Sequence, residues 1–259
     1  ITCTGCGNDK LPRPSDSPLE RKKAFVDALQ MPCDPDNNTP KIACSDTGDP
    51  VLLTPGPLTT SFRVKEAMMR DVGSREASFE TVLNRVLQRT LDLVGVDNST
   101  HACVPLPGSG TYAVESMLSL AQNPILLCVN GAYGRRMVDI CQAQGIAHEV
   151  CEIDHLTAFT SEVIVAALST RLHVKCIALV HCETTSGLLN PLDDIVEKVR
   201  ENFPRCNIFV DAMSSIGAVR LDVTNIQAVA FSSNKGIEGP PGLALVVLSR
   251  LLVQQSDKA

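Results

Sequence analysis

Apolar residues are scattered up to about residue 50 and regularly spaced after it. In "REASFETVLNRVLQRTLDLVG" (residues 75–95), Phe79, Val82, Leu83, Val86, Leu87, Leu91 and Val94 fall on one face of a helix, and Gly95 is a natural C′ stop. Five later runs are apolar at nearly every position: "ILLCV" (125–129), "CIALV" (176–180), "NIFV" (207–210), "AVAF" (228–231) and "LALVVL" (243–248). Short runs of this kind predict strands buried on both faces. Helical spacing returns between them. The segment after residue 111 carries an apolar face of Ala113, Val114, Met117 and Leu118, and "YGRRMVDICQAQG" (133–145) follows. In "NPLDDIVEKVRENF" (190–203), Asn190 is suited to cap, Pro191 to the first turn, and Ile195, Val196, Val199 and Phe203 share a face. Strands and helices in alternation predict an α/β fold, a mostly parallel sheet flanked by helices, over residues 51–259.

Residues 1–50 are rich in Pro, Asp, Asn and Cys and hold one helix candidate, "SPLERKKAFVDALQ" (17–30), which predicts an extension or linker. Cys3 and Cys6 form a C-x-x-C, but Cys33 and Cys44 do not make the second close pair of a zinc site, so these are read as ordinary thiols and no metal is expected. Eleven cysteines, an odd number, together with a start that lacks the charged and apolar regions of a signal peptide, predict a reducing, cytoplasmic setting; the chain begins at Ile1, so targeting information upstream of it stays open. No apolar run approaches the roughly 20 residues that span a bilayer. A net charge of −6 argues against nucleic acid, though not against a small anion at a local site.

In open α/β sheets ligands collect at the carboxyl ends of the strands. Five polar segments fall at such ends: "PGSGT" (107–111), "NGAYG" (130–134), "HCETTSG" (181–187), "DAMSS" (211–215) and "SSNKG" (232–236). Gly108, Ser109, Gly110 and Thr111 precede a helix whose N-terminal amides suit a phosphate. They also fit G-x-G-x-x-A, the dinucleotide pattern, or a structural turn; the preceding "HACVPLP" is broken by prolines and Asn130 stands where that pattern wants an acid. Asp211, directly after a strand, is either the cap of the next turn or a buried carboxylate awaiting a cationic partner such as a protonated ring nitrogen. Lys235, among small residues at a strand end, is either a solvated loop lysine or a desolvated amine able to form a Schiff base. With a phosphate cradle, a ring-nitrogen acid and Tyr133 to stack on a ring, the combination describes a pyridoxal phosphate site.

The segments "LLTPGPLTTSFRVKEAM", "SRE", "PGSGTYAVES", "NGAYGRRM", "HCETTSGLLNP", "DAMSSIG" and "SSNKGIEGPPG", in that order from about Val51 to about Arg250, resemble the class V aminotransferases, and within them the 2-aminoethylphosphonate–pyruvate transaminases. The resemblance implies the large domain of fold type I pyridoxal phosphate enzymes, and roles for named residues. Lys235 would hold the cofactor aldehyde and move the proton; Asp211 would pair with the pyridine nitrogen. Ser109, Gly110 and Thr111 would take the phosphate with Asn234 close by, Tyr133 and Met213 would cover the two ring faces, and Thr184 would bond the phenolic oxygen. Pro55, Gly56 and Pro57 would line the substrate entrance, and Arg75 is the one cation proposed for the substrate. The implied reaction moves the amino group of 2-aminoethylphosphonate to pyruvate, giving phosphonoacetaldehyde and L-alanine, in a homodimer. It also implies a small C-terminal domain carrying the carboxylate-binding arginine, which would lie past Ala259. Alternatives are an alanine–glyoxylate or serine–pyruvate transaminase, a fragment that binds cofactor or a partner subunit without turnover, and, on the glycine loop alone, a nicotinamide dehydrogenase.

Overall fold

The computed structural model describes residues 48–256; the expected helix over 17–30 and Cys3, Cys6, Cys33 and Cys44 lie outside them. After α1 (Phe62–Met68) and α2 (Ala77–Leu93), strands and helices alternate: β1 (His101–Pro107), α3 (Gly110–Leu118), β2 (Ile125–Val129), α4 (Ala132–Gln144), β3 (His148–Glu152), α5 (Ser161–Ser169) and β4 (Cys176–Val180). A two-stranded hairpin of β5 (Cys182–Glu183) and β6 (Leu188–Leu189) leads to α6 (Leu192–Asn202), β7 (Asn207–Asp211), β8 (Ala228–Ser232), β9 (Leu243–Ser249) and α7 (Arg250–Ser256). The main sheet has seven strands in the order β1-β9-β8-β7-β4-β2-β3, and β9 alone runs against the rest. All five apolar runs are strands in this sheet, and the fold is the α/β arrangement expected.

The strands are apolar at successive positions because both faces are covered. Alternate residues serve opposite cores. Leu126, Cys128, Ile177, Leu179, Ile208 and Val210 pack with Leu91 of α2, Ile164 of α5 and Ile195 and Val199 of α6. Ile125, Leu127, Ala178, Phe209 and Ala230 pack with Met117 of α3, Met137 of α4 and Leu252 of α7. Each fully buried Leu or Ile here contributes about 1.5–3 kcal/mol relative to exposure.

Three sequence readings change. "HACVPLP" is a strand, β1, prolines included; it is an edge strand paired only with β9, and an edge is where a missing N–H is tolerated. Asn190 does not cap α6, whose N-cap is Pro191. Its buried side chain instead donates from Nδ2 to the Val180 carbonyl (2.7 Å), while Oδ1 accepts from Phe159 N–H (2.9 Å) and Asn130 Nδ2 (3.0 Å), so it ties three segments near the sheet's carboxyl end. The apolar face read for α2 is only partly used: Leu91 and Val94 are buried, whereas Phe79, Val82 and Val86 face solvent.

Candidate active site

β1, β2, β4, β7 and β8 share one direction, so their carboxyl ends lie along one edge of the sheet and deliver the five polar segments together. A cavity of about 500 Å³ opens there. Its lining includes Ser109, Gly110, Thr111, Tyr133, Asp211, Met213, Asn234 and Lys235, with Gly56 and Pro57 from the segment before α1. Three expected residues are not in the lining. The Thr184 hydroxyl is 2.5 Å from that of Ser214, the residue after Met213; Pro55 is exposed next to Gly56; Arg75 is exposed just ahead of α2. Arg136, Met137, Ile140, Val114 and Ser232 line the cavity without having been singled out. Arg136 was readable, since on α4 it stands one turn from Tyr133.

The local geometry follows from small residues and short turns. Ser109 caps α3, its hydroxyl accepting from Tyr112 N–H (3.4 Å), and the helix start faces the cavity at Gly110 and Thr111. A Cβ on Gly110 would fall 2.3 Å from Met213 Sδ, so a side chain there would displace the Met213 thioether. Ser232 Oγ donates to Asn234 Oδ1 (2.8 Å) and contacts Met213 Sδ (3.1 Å). Arg136 lies 4.9 Å from the centroid of the Tyr133 ring, with Nη1 3.5 Å from Thr111 Oγ1. That puts a cation between the ring and the start of α3.

Asp211 satisfies both sequence readings at once. Its Oδ1 accepts from Met213 N–H (2.9 Å), capping the turn after β7, and the carboxylate is buried against the cavity. Burial pushes its pKa up to about 6; the Met213 hydrogen bond opposes this, the Glu183 charge adds to it, and Arg136 and Lys235 oppose it. Across the cavity Lys235 is half-buried, and desolvation pulls its amine below the usual lysine value against the attraction of Asp211. Lys235 Nζ donates to the Gly56 carbonyl (2.9 Å), and Leu58 N–H donates to the Asn234 carbonyl (3.3 Å). Gly56, at φ +146°, is held so close that a Cβ would meet Lys235 Cδ at 2.1 Å.

The residues fit pyridoxal phosphate. A buried carboxylate whose charge is disfavoured by burial gains from a protonated ring nitrogen beside it, an amine with lowered pKa suits an aldehyde, and a helix start beside Arg136 suits a phosphate. The fold, a mostly parallel sheet flanked by helices, is that of aminotransferase-type enzymes. The model of the family "Aminotransferase class-V" matches residues 121–259, more than half of the chain, and the chain belongs to that family. Proteins named 2-aminoethylphosphonate–pyruvate transaminase are similar to it: that of Pseudomonas aeruginosa is 40% identical over 202 residues, 76% of this chain and 54% of the relative, and one of Paraburkholderia xenovorans is 40% identical over 214 residues, 81% and 57%. Among solved structures, the alanine–glyoxylate aminotransferase of Nostoc sp. matches with a TM-score of 0.73 at 25% identity, covering 90% of this chain and 60% of that one. The ureidoglycine–glyoxylate aminotransferase of Bacillus subtilis matches at 0.72 and 25%, covering 79% and 53%. The chain spans about half the length of the relatives it matches.

Proposed function

We propose that the protein carrying this chain is a pyridoxal phosphate-dependent transaminase that moves the amino group of 2-aminoethylphosphonate to pyruvate. The observation that carries the reading is the convergence of Lys235, Asp211 and the Ser109–Thr111 helix start on one cavity at the carboxyl edge of the sheet. Bound there, the cofactor would supply an electron sink for an amine's α-carbon. The chain's residues would do the rest. Lys235 would hold the aldehyde and carry a proton at the adjacent carbon, its lowered pKa making a neutral amine accessible. Asp211 would keep a proton on the ring nitrogen, and Tyr133 and Met213 would flank the ring. Ser109, Gly110 and Thr111, with Arg136 near and Asn234 close by, would take the phosphate.

The choice of donor rests on the names of the relatives at 40% identity. The match to an alanine–glyoxylate aminotransferase structure favours a second reading, in which alanine is the donor. Single-turnover spectra of the cofactor-loaded protein separate the two: 2-aminoethylphosphonate is expected to discharge the cofactor band at least about tenfold more efficiently than alanine, a difference of 1.4 kcal/mol. Preference for alanine contradicts the first reading. A homodimer belongs to the same proposal and is supported by the apolar face that α2 leaves in solvent.

A further inference from the structure

Glu183 has no exposed surface. It lies on β5, in the loop region after β4, and it is not in the lining of the cavity. Its carboxylate reaches across to α4: Oε2 accepts from Tyr133 N–H (3.1 Å) and Gly134 N–H (3.4 Å). Oε1 accepts from Thr185 N–H (3.2 Å) and Thr185 Oγ1 (2.7 Å). The N-cap of α4 is Gly131, which has no side chain to satisfy the first amides, so a residue about 50 positions away supplies the cap. The fit is close, because a Cβ on Gly131 would stand 2.3 Å from Glu183 Cδ.

Burying a carboxylate is costly unless donors and a positive helix end compensate it. Here the donors come from α4, which contributes to the lining of the cavity, and from the Thr184–Thr185 turn, which does not. One carries Tyr133, whose ring lines it; the other carries Thr184, bonded to Ser214 of the segment after Asp211. We propose that Glu183 is a positioning residue: it fixes the Tyr133 ring and the Thr184 loop in one relative setting, and acts on the bound ring through them. The inference rests on the reading of the cavity as a pyridoxal phosphate site.

The test titrates the chain with pyridoxal phosphate and follows the Lys235-dependent absorbance band and its induced circular dichroism in wild type, Glu183→Gln and Thr185→Val. Glu183→Gln is expected to weaken cofactor binding about tenfold or more and to lower the ellipticity per unit absorbance at saturation, since a ring partner that is no longer held loses its fixed angle. Thr185→Val, which removes the 2.7 Å hydroxyl donor and leaves the carboxylate in place, shifts both readouts in the same direction by less. Glu183→Asp, too short to span both elements, recovers ellipticity only partly. A folded Glu183→Gln protein with wild-type affinity and ellipticity overturns the proposal; if that variant does not fold, wild-type values in Thr185→Val overturn it. Absence of any band in the wild type is a separate outcome, which removes the reading of the site and the proposal with it.

Discussion

At the residue scale the site depends on where charge is left short of solvent. Asp211 is the clearest case, because its folded-state pKa of about 6 lies above the ordinary aspartate value of 3.8. A group raised in this way contributes stability that is fully present below the unfolded pKa and is lost as pH rises through the folded one. The cofactor-free chain should therefore lose stability from this residue between about pH 4 and pH 6. Asp211→Asn, neutral and of the same shape, is expected to be more stable than the wild type at pH 7.5, by about 1–3 kcal/mol, with the gap closing toward pH 4. Urea midpoints at the two pH values measure it, and a gap that does not depend on pH contradicts the assignment. The same substitution should impair cofactor chemistry, because the residue that is strained alone is the one that suits a ring proton.

At the scale of elements, the sheet edge holds its residues in place by docking backbone against backbone. The turn after β7 and the loop after β8 meet at two glycines: a Cβ on Gly236 would lie 2.2 Å from the Ile216 carbonyl, and one on Gly217, at φ +76°, would lie 2.6 Å from the Gly236 carbonyl. Gly236 directly follows Lys235, so a shift of this loop carries the lysine with it. Gly236→Ala is expected to cost about 1–3 kcal/mol in thermal or urea unfolding, with weaker cofactor binding. A variant as stable as the wild type would show that the two loops are not clamped.

The same scale explains what the sequence disclosed. Central strands covered on both faces, such as β2 and β4, are continuous apolar runs and were legible at once. The edge strands were not: β1 carries Pro105 and Pro107, and β3, "HEVCE", carries no fully buried residue. α5 was missed because "SEVIVAALS" has apolar residues on too many sides to show a period. Lys235, Asp211 and the Ser109–Thr111 start were legible because unusual residue types stand at strand ends. Glu183 was not, since the Tyr133 and Gly134 amides that it caps lie about 50 residues back along the chain, and Asn190 looked like a cap because its buried network joins segments that only the fold brings together.

At the scale of the whole molecule, α2 leaves Val82 49% exposed, with Phe79 and Val86 beside it on the same face. The helix is buried only at Thr90 and Leu91, so this stripe is free to take the contact of the proposed homodimer. If the proposed homodimer forms through this face, Val82→Glu is expected to leave the unfolding midpoint of the separated chain within about 0.5 kcal/mol and to abolish concentration-dependent association in sedimentation. Association that persists in Val82→Glu would place the contact elsewhere. No helix among the described residues is long and apolar enough to cross a membrane.

One absorbance spectrum decides whether this chain builds a pyridoxal phosphate site around Lys235. Purified chain with added pyridoxal phosphate is compared with Lys235→Ala under the same conditions. A Schiff-base absorbance band is expected in the wild type, fixed covalently by borohydride to the peptide containing Lys235, with no such band or adduct in the variant. Cofactor fixed at another lysine, or a band that survives Lys235→Ala, would contradict this reading of the site.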